Sequence, residues 1–240
     1  EQLLDGHIRL DHVSNKEKES VAIISDVSMY NAPVKDSIWY RVIHDTAFAS
    51  ATIPIYQVYR PGKSVDKSRL LDLMEQQMAE GVSILTIHPT ANVELEKMSR
   101  KRIIPCTSRG GSMVLASMYV ENRNDNLFID MLDDIAKLAG QYESTISIGT
   151  TFRSGTVIDA CDEVYWCELK RQLEISQYLK NRGVTTIIET PGHADVVAIE
   201  RICQHLEPTG ELVMPLGTMP TDIAMEYDDM AACIGATLMG

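Results

Sequence analysis

Short β-branched runs alternate along this chain with longer stretches whose apolar residues recur at helical intervals. Val21-Ala22-Ile23-Ile24-Ser25-Asp26-Val27 is a continuous run of the kind that fills a strand buried on both faces. Further strands are predicted to begin near residues 51, 83, 103, 144, 185 and 211. The one at 51–57 contains Pro54, which removes a ladder donor and weakens that assignment. Helices are predicted over 36–48, with Asp36 or Ser37 as cap, and over 68–80, closed by Gly81. Others follow around Val93, Leu95 and Met98, then over 113–119, 127–138, 162–180 and 196–205, with a last one from 221 to 239. Asn181-Arg182-Gly183 stops the long helix.

Strands about 20 to 40 residues apart with helices between them imply β-α units and a parallel sheet. The expected fold is α/β: a (β/α)8 TIM-type barrel, incomplete at both ends, with an open doubly wound sheet as the second architecture. One domain over 1–240 is expected, with residues 1–20 peripheral.

Charge narrows the partners. With 34 acidic against 22 basic side chains the formal charge is −12, so no nucleic acid partner is expected and an anionic ligand needs a dedicated pocket. No apolar run is long enough to span a bilayer and no signal core opens the chain, so no membrane partner and a cytoplasmic location are expected. Cys106, Cys161, Cys167, Cys203 and Cys233 are widely spaced and read as structural thiols.

Tyr56, His88, Ser108, Arg109, Arg153, Glu189 and His193 all fall at the carboxyl end of a predicted strand or just after it. In a barrel those ends converge on one mouth. Ser108-Arg109-Gly110-Gly111-Ser112 has the chemistry of an anion site: glycines that let backbone amides approach, a hydroxyl, a helix start and a guanidinium fork. Arg153 supplies a second cation, which favours a phosphorylated ligand over a neutral one. In Ile187-Ile188-Glu189-Thr190-Pro191-Gly192-His193 a strand is predicted to deliver Glu189, turn at Pro191-Gly192 and present His193 at the next helix. Metal ligation, acid–base chemistry and substrate hydrogen bonding are all open to that pair, and His88 is open in the same way. His7, His12, His44 and His205 carry no such signal, and Tyr227 either faces the mouth or flanks a helix start at Asp228.

Five words stand in one order: Ile53-Pro54-Ile55-Tyr56-Gln57, Thr86-Ile87-His88, Ser108-Arg109-Gly110-Gly111-Ser112, Pro191-Gly192-His193 and Thr221-Asp222-Ile223-Ala224, with Tyr227-Asp228 close behind. In these the chain resembles the phosphomethylpyrimidine synthase family, radical-SAM enzymes of thiamine biosynthesis, and their paralogue 5-hydroxybenzimidazole synthase of anaerobic cobamide biosynthesis. The resemblance implies a (β/α)8 core, a homodimer, 5-aminoimidazole ribonucleotide as substrate, and a carbon–carbon lyase rearrangement started by S-adenosylmethionine at a [4Fe-4S] cluster. It implies further that Tyr56, His88, Ser108, Arg109, Gly110, Arg153, Glu189 and Tyr227 line the ribonucleotide site. His193 would be one ligand of a separate divalent metal, zinc or iron.

Departures from the family's pattern are equally specific. Its three closely spaced cysteines are absent, Cys161 and Cys167 being the nearest pair, so the chain as given is not expected to reduce S-adenosylmethionine. The family's Gly-Asp-Gly-Leu-Arg-Pro-Gly loop reads here as Gly149-Thr150-Thr151-Phe152-Arg153-Ser154-Gly155, with Thr150 in place of a substrate-facing carboxylate. That change favours the benzimidazole-forming paralogue, with the thiamine enzyme as the alternative. A noncatalytic ligand-binding or partner subunit, and a metal-dependent hydrolase or aldolase built on His88, Glu189 and His193, are the rival readings.

Overall fold

A computed structural model describes residues 23–29, 33–219 and 226–240, with the backbone alone for 216–219 and 228–229. The expected peripheral segment 1–20, His7, His12 and the Thr221-Asp222-Ile223-Ala224 word lie outside the described residues.

Six strands are formed: β1 (Ile23–Asp26), β2 (Ala49–Thr52), β3 (Ile84–Ile87), β4 (Thr145–Ile148), β5 (Thr186–His193) and β6 (Leu212–Met219). Each pairs in parallel with its neighbour in sequence, giving the order β1-β2-β3-β4-β5-β6. That sequential order is the wall of a half-barrel and replaces the doubly wound alternative, whose strand order reverses at a switch point. Ten α-helices accompany the sheet: α1 (Ile38–Asp45), α2 (Ile55–Val58), α3 (Lys67–Ala79), α4 (Val93–Ser99), α5 (Arg109–Glu121), α6 (Leu127–Asp130), α7 (Leu132–Gln141), α8 (Glu163–Lys180), α9 (Val196–Leu206) and α10 (Asp228–Met239) among the described residues.

Register explains the sidedness of the sheet. Leu85, Ile87, Ile146, Ile148 and Ile188 share one face and are fully buried under the helices. Thr86, Ser147 and Ile187 are paired across the ladder and so share the opposite face, which Glu189, two residues on, also joins. The main core gathers Trp39, Leu70, Met74, Phe128 and Ile135 against β3 and β4, and a smaller cluster of Tyr165, Leu169, Ile188, Ile202 and Leu206 joins α8 and α9 to β5.

β1, expected as a strand buried on both faces, leaves Ile23 and Ser25 exposed, and the helix expected over 127–138 breaks at Met131 into α6 and α7. Three further expectations change. No strand forms near 103: Lys101 to Pro105 run through a turn and bends, with Ile103 and Ile104 exposed, because Pro105 has no N–H to give a ladder and β3 already pairs directly with β4. The strand expected at 51–57 is instead Ala49–Thr52, and Pro54 takes the N-cap of the short α2, so Tyr56 is presented by a helical turn. Thirdly, β5 does not end at Pro191-Gly192. It continues to His193, because Pro191 pairs with Leu216 on one side and Gly192 bridges Ser154 on the other. Gly192 has φ +88° and a Cβ there would lie 2.5 Å from the Ser154 carbonyl oxygen, so both its conformation and its neighbour demand glycine. At α1, Ser37 occupies the N-cap position but gives its hydroxyl to the Val34 carbonyl, so it caps by position only.

Candidate ligand site at the strand ends

Five turns and strand tips bring the candidate groups together at the carboxyl end of the sheet. His88 follows β3 directly and is buried, its ring held between two glycines. A Cβ on Gly110 would fall 2.2 Å from its Cε1, and one on Gly149 would fall 2.9 Å from its Nε2. Only glycine at both positions lets the imidazole lie against the first turn of α5 and the end of β4. Burial, reinforced by the Arg153 charge, pushes its pKa from 6.5 down to about 3, so the ring is neutral at physiological pH. Its Nδ1 is buried without a hydrogen-bond partner in the protein, and so is the hydroxyl of Thr150.

Glu189 lies on the polar face of β5 and is 3% exposed. Thr86 and Ser147, on the two preceding strands, donate hydroxyls to its Oε1 at 3.3 and 3.2 Å. Burial pushes this carboxyl up, opposed by the Arg153 guanidinium and by those two hydroxyls. Arg153 is thus a common electrostatic neighbour of Tyr56, His88 and Glu189. Tyr56 stands beside Arg109, whose guanidinium lies 5.9 Å from the ring centroid, and its phenol meets the Gly110 N–H. Burial pushes that phenol up, against the pull of Arg109 and Arg153.

Ser108 is the N-cap of α5, its Oγ accepting from the Gly111 N–H at 3.1 Å, which leaves its hydroxyl proton for a ligand. Gly111 is also obligatory: a Cβ would lie 2.7 Å from Thr151 Cα. The 103–107 segment, expected as a strand, instead braces the Arg153 loop, with the Thr107 hydroxyl donating to the Arg153 carbonyl at 2.8 Å and Ile104 packed on Gly155.

Tyr56, His88, Ser108, Arg109, Gly110, Arg153 and Glu189 therefore share one locality, as expected for convergent strand ends. Tyr227 does not join them on any described contact: it precedes α10 and is 61% exposed. His193 is half-buried at the tip of β5, its N–H donating to the Ser154 carbonyl at 2.9 Å. Among the described residues no group of three His, Cys, Asp or Glu side chains is placed to hold a metal ion.

Several contributors escaped sequence reasoning. Thr86 stands in the Thr86-Ile87-His88 word with no role of its own, Ser147 is one polar position of a strand, and Glu168 is one acid of the long 162–180 helix. Glu168 is fully buried beneath the Thr150 to Gly155 loop, and Arg102, also buried, pairs with Asp162 and donates to the Phe152 carbonyl.

A family model described as the radical SAM ThiC family matches residues 5–240. The phosphomethylpyrimidine synthase of Pyrobaculum aerophilum is 31% identical over 247 residues, covering 98% of this chain and 56% of that protein. That of Carboxydothermus hydrogenoformans is 31% identical over 212 residues, covering 83% and 49%, and that of Archaeoglobus fulgidus is 30% identical over 245 residues, covering 96% and 57%. The chain spans about half the length of the curated relatives it matches.

Proposed function

This chain belongs to the radical SAM ThiC family, and from that premise we propose that it forms the substrate-holding part of a carbon–carbon lyase acting on 5-aminoimidazole ribonucleotide. The observation that carries the reading is Arg153, set among His88, Glu189 and Tyr56 with Arg109 and the α5 amino end nearby. In this reading the guanidinium groups and the Ser108 hydroxyl hold the phosphate. The neutral His88 and the Glu189 carboxyl orient the polar edge of the ribose or imidazole. The barrel closes to (β/α)8 and the protein works as a homodimer, as in the family the sequence resembles.

Radical-SAM chemistry is supplied by a [4Fe-4S] cluster that cleaves S-adenosylmethionine. The described residues do not fit that cluster: the five cysteines are separate free thiols, and no cluster of three ligands exists among them. No step is therefore assigned to these cysteines, and the residues named above are given the binding and orienting of substrate. For the divalent metal that the resemblance implies at His193, no group of three His, Cys, Asp or Glu side chains is placed to hold it among the described residues.

Two products fit the same substrate. The names of the relatives favour the pyrimidine phosphate of thiamine biosynthesis. Thr150, a buried hydroxyl without a protein partner where the family's loop has a carboxylate, favours the second reading, 5-hydroxybenzimidazole for a cobamide lower ligand. Calorimetric titration with 5-aminoimidazole ribonucleotide tests the shared reading. Binding is expected, and Arg153→Ala should weaken it about tenfold or more, the scale of a lost charge-assisted pair. A chain that does not bind, or an Arg153→Ala variant that binds equally well, sinks it. Anaerobic turnover by the cluster-bearing protein with S-adenosylmethionine then separates the two products.

A further inference from the structure

Glu168 belongs to α8 and is 1% exposed, away from the mouth and outside every motif above. A carboxylate taken out of water stays charged only where donors replace its hydration. Those donors are specific. Oε1 accepts from the Thr151 N–H at 2.6 Å and from the Thr90 hydroxyl at 2.7 Å, and Oε2 accepts from the Phe152 N–H at 2.9 Å. Thr90 belongs to the loop that carries His88, and Thr151 and Phe152 belong to the loop that carries Arg153.

The node reaches further. Thr151 Oγ1 lies 3.2 Å from Thr90 Oγ1, and Thr151 packs under Gly111 in the first turn of α5, one residue after Gly110. The Phe152 carbonyl is bonded by Arg102, whose guanidinium pairs with Asp162 at 2.7 and 2.5 Å. Burial pushes the Glu168 carboxyl up, opposed by these same hydrogen bonds. Phe152 is held at its N–H by that carboxyl and at its carbonyl by the Arg102 guanidinium, immediately before Arg153. One buried carboxylate ties together the three loops that present His88, Arg109 and Arg153.

We propose that Glu168 is a positioning residue that locks these loops to one another and so sets where Arg153 and His88 meet the ligand. The inference rests on the reading of this mouth as a ribonucleotide site. Calorimetry with 5-aminoimidazole ribonucleotide, below the melting temperature of every variant, compares the parent chain with Glu168→Ala, Glu168→Gln and Arg153→Ala. Ile135→Ala, in the buried face of α7, serves as a destabilised control.

Glu168→Ala should weaken binding about tenfold to a hundredfold, the effect of small misplacements on a preorganised site. Glu168→Gln, which keeps one acceptor oxygen and the volume, should recover part of it, and Ile135→Ala should bind like the parent. Amide exchange at Thr151 and Phe152 should accelerate in Glu168→Ala and not in Ile135→Ala or Arg153→Ala. If Glu168→Ala does not fold, Glu168→Gln and Thr90→Val carry the same comparison. Parent-like affinity with accelerated exchange, or an equal loss in Ile135→Ala, overturns the positioning role. Failure of the parent to bind at all overturns the proposed function instead, and the Thr151 and Phe152 exchange then decides whether the clamp exists.

Discussion

His88 shows how little a residue type says without its surroundings. In the sequence it is a histidine before a proline; in the fold it is a neutral ring pressed between Gly110 and Gly149. Its pKa of about 3 in the folded chain against 6.5 for an ordinary histidine has a definite sign. Between those values the unfolded chain binds a proton that the folded chain does not, so stability is lost as pH falls from about 6.5 toward 3. Ring resonances of His88 followed by NMR should stay constant from neutral pH down to about pH 5. His88→Gln should flatten the acid limb of stability measured by urea unfolding. A His88 midpoint near 6.5 would refute the buried neutral ring.

At the scale of elements, helix starts rest on local capping: Asp66, Asn92, Ser108, Asn126, Asp162 and Asp195 each accept a backbone N–H of their own first turn, whereas Ser37, a cap read from the sequence, does not. Two of these caps should differ sharply in weight. Asp195 bonds the Ala198 N–H and is exposed, so Asp195→Ala should cost about 1 kcal/mol. Asp162 caps α8 through the Tyr165 N–H and also pairs with Arg102, whose side chain is 2% exposed. Asp162→Ala strands that cation and should cost about 3 to 5 kcal/mol. Chemical denaturation of the two variants checks the contrast, and equal costs would mean that the Arg102 pair adds nothing. Nothing local in the sequence distinguishes these two aspartates, since the second partner of Asp162 lies 60 residues away.

For the whole molecule, the sequential parallel sheet gathers turns scattered from Tyr56 to Glu189 at one end, and among the described residues it brings no three His, Cys, Asp or Glu side chains together around a metal. A [4Fe-4S] cluster needs convergent thiolates. Anaerobic reconstitution of this chain with iron and sulfide, followed by desalting, should leave no stoichiometric iron and no cluster signal in electron paramagnetic resonance. Stoichiometric cluster on these thiols would contradict the absence of a three-ligand group among the described residues. On a molecule of net charge −12, Arg109 and Arg153 are the cations that the proposed function gives to a phosphorylated ligand.

Apolar periodicity and the order of the short words were enough to determine an α/β chain with parallel strands, the starts of its six described strands to within about two residues, and the family. Those features depend on residues a few positions apart, where period and propensity act. The tertiary structure alone decided that Ile104 and Thr107 brace a loop instead of forming a strand, and that β5 runs on to His193. It also gave Glu168 its place beneath Thr151 and Phe152. Each of these turns on a backbone group finding its partner far along the chain: the need to satisfy a buried N–H or carboxylate is written in the residue, but its partner is chosen only when the sheet has closed the distance.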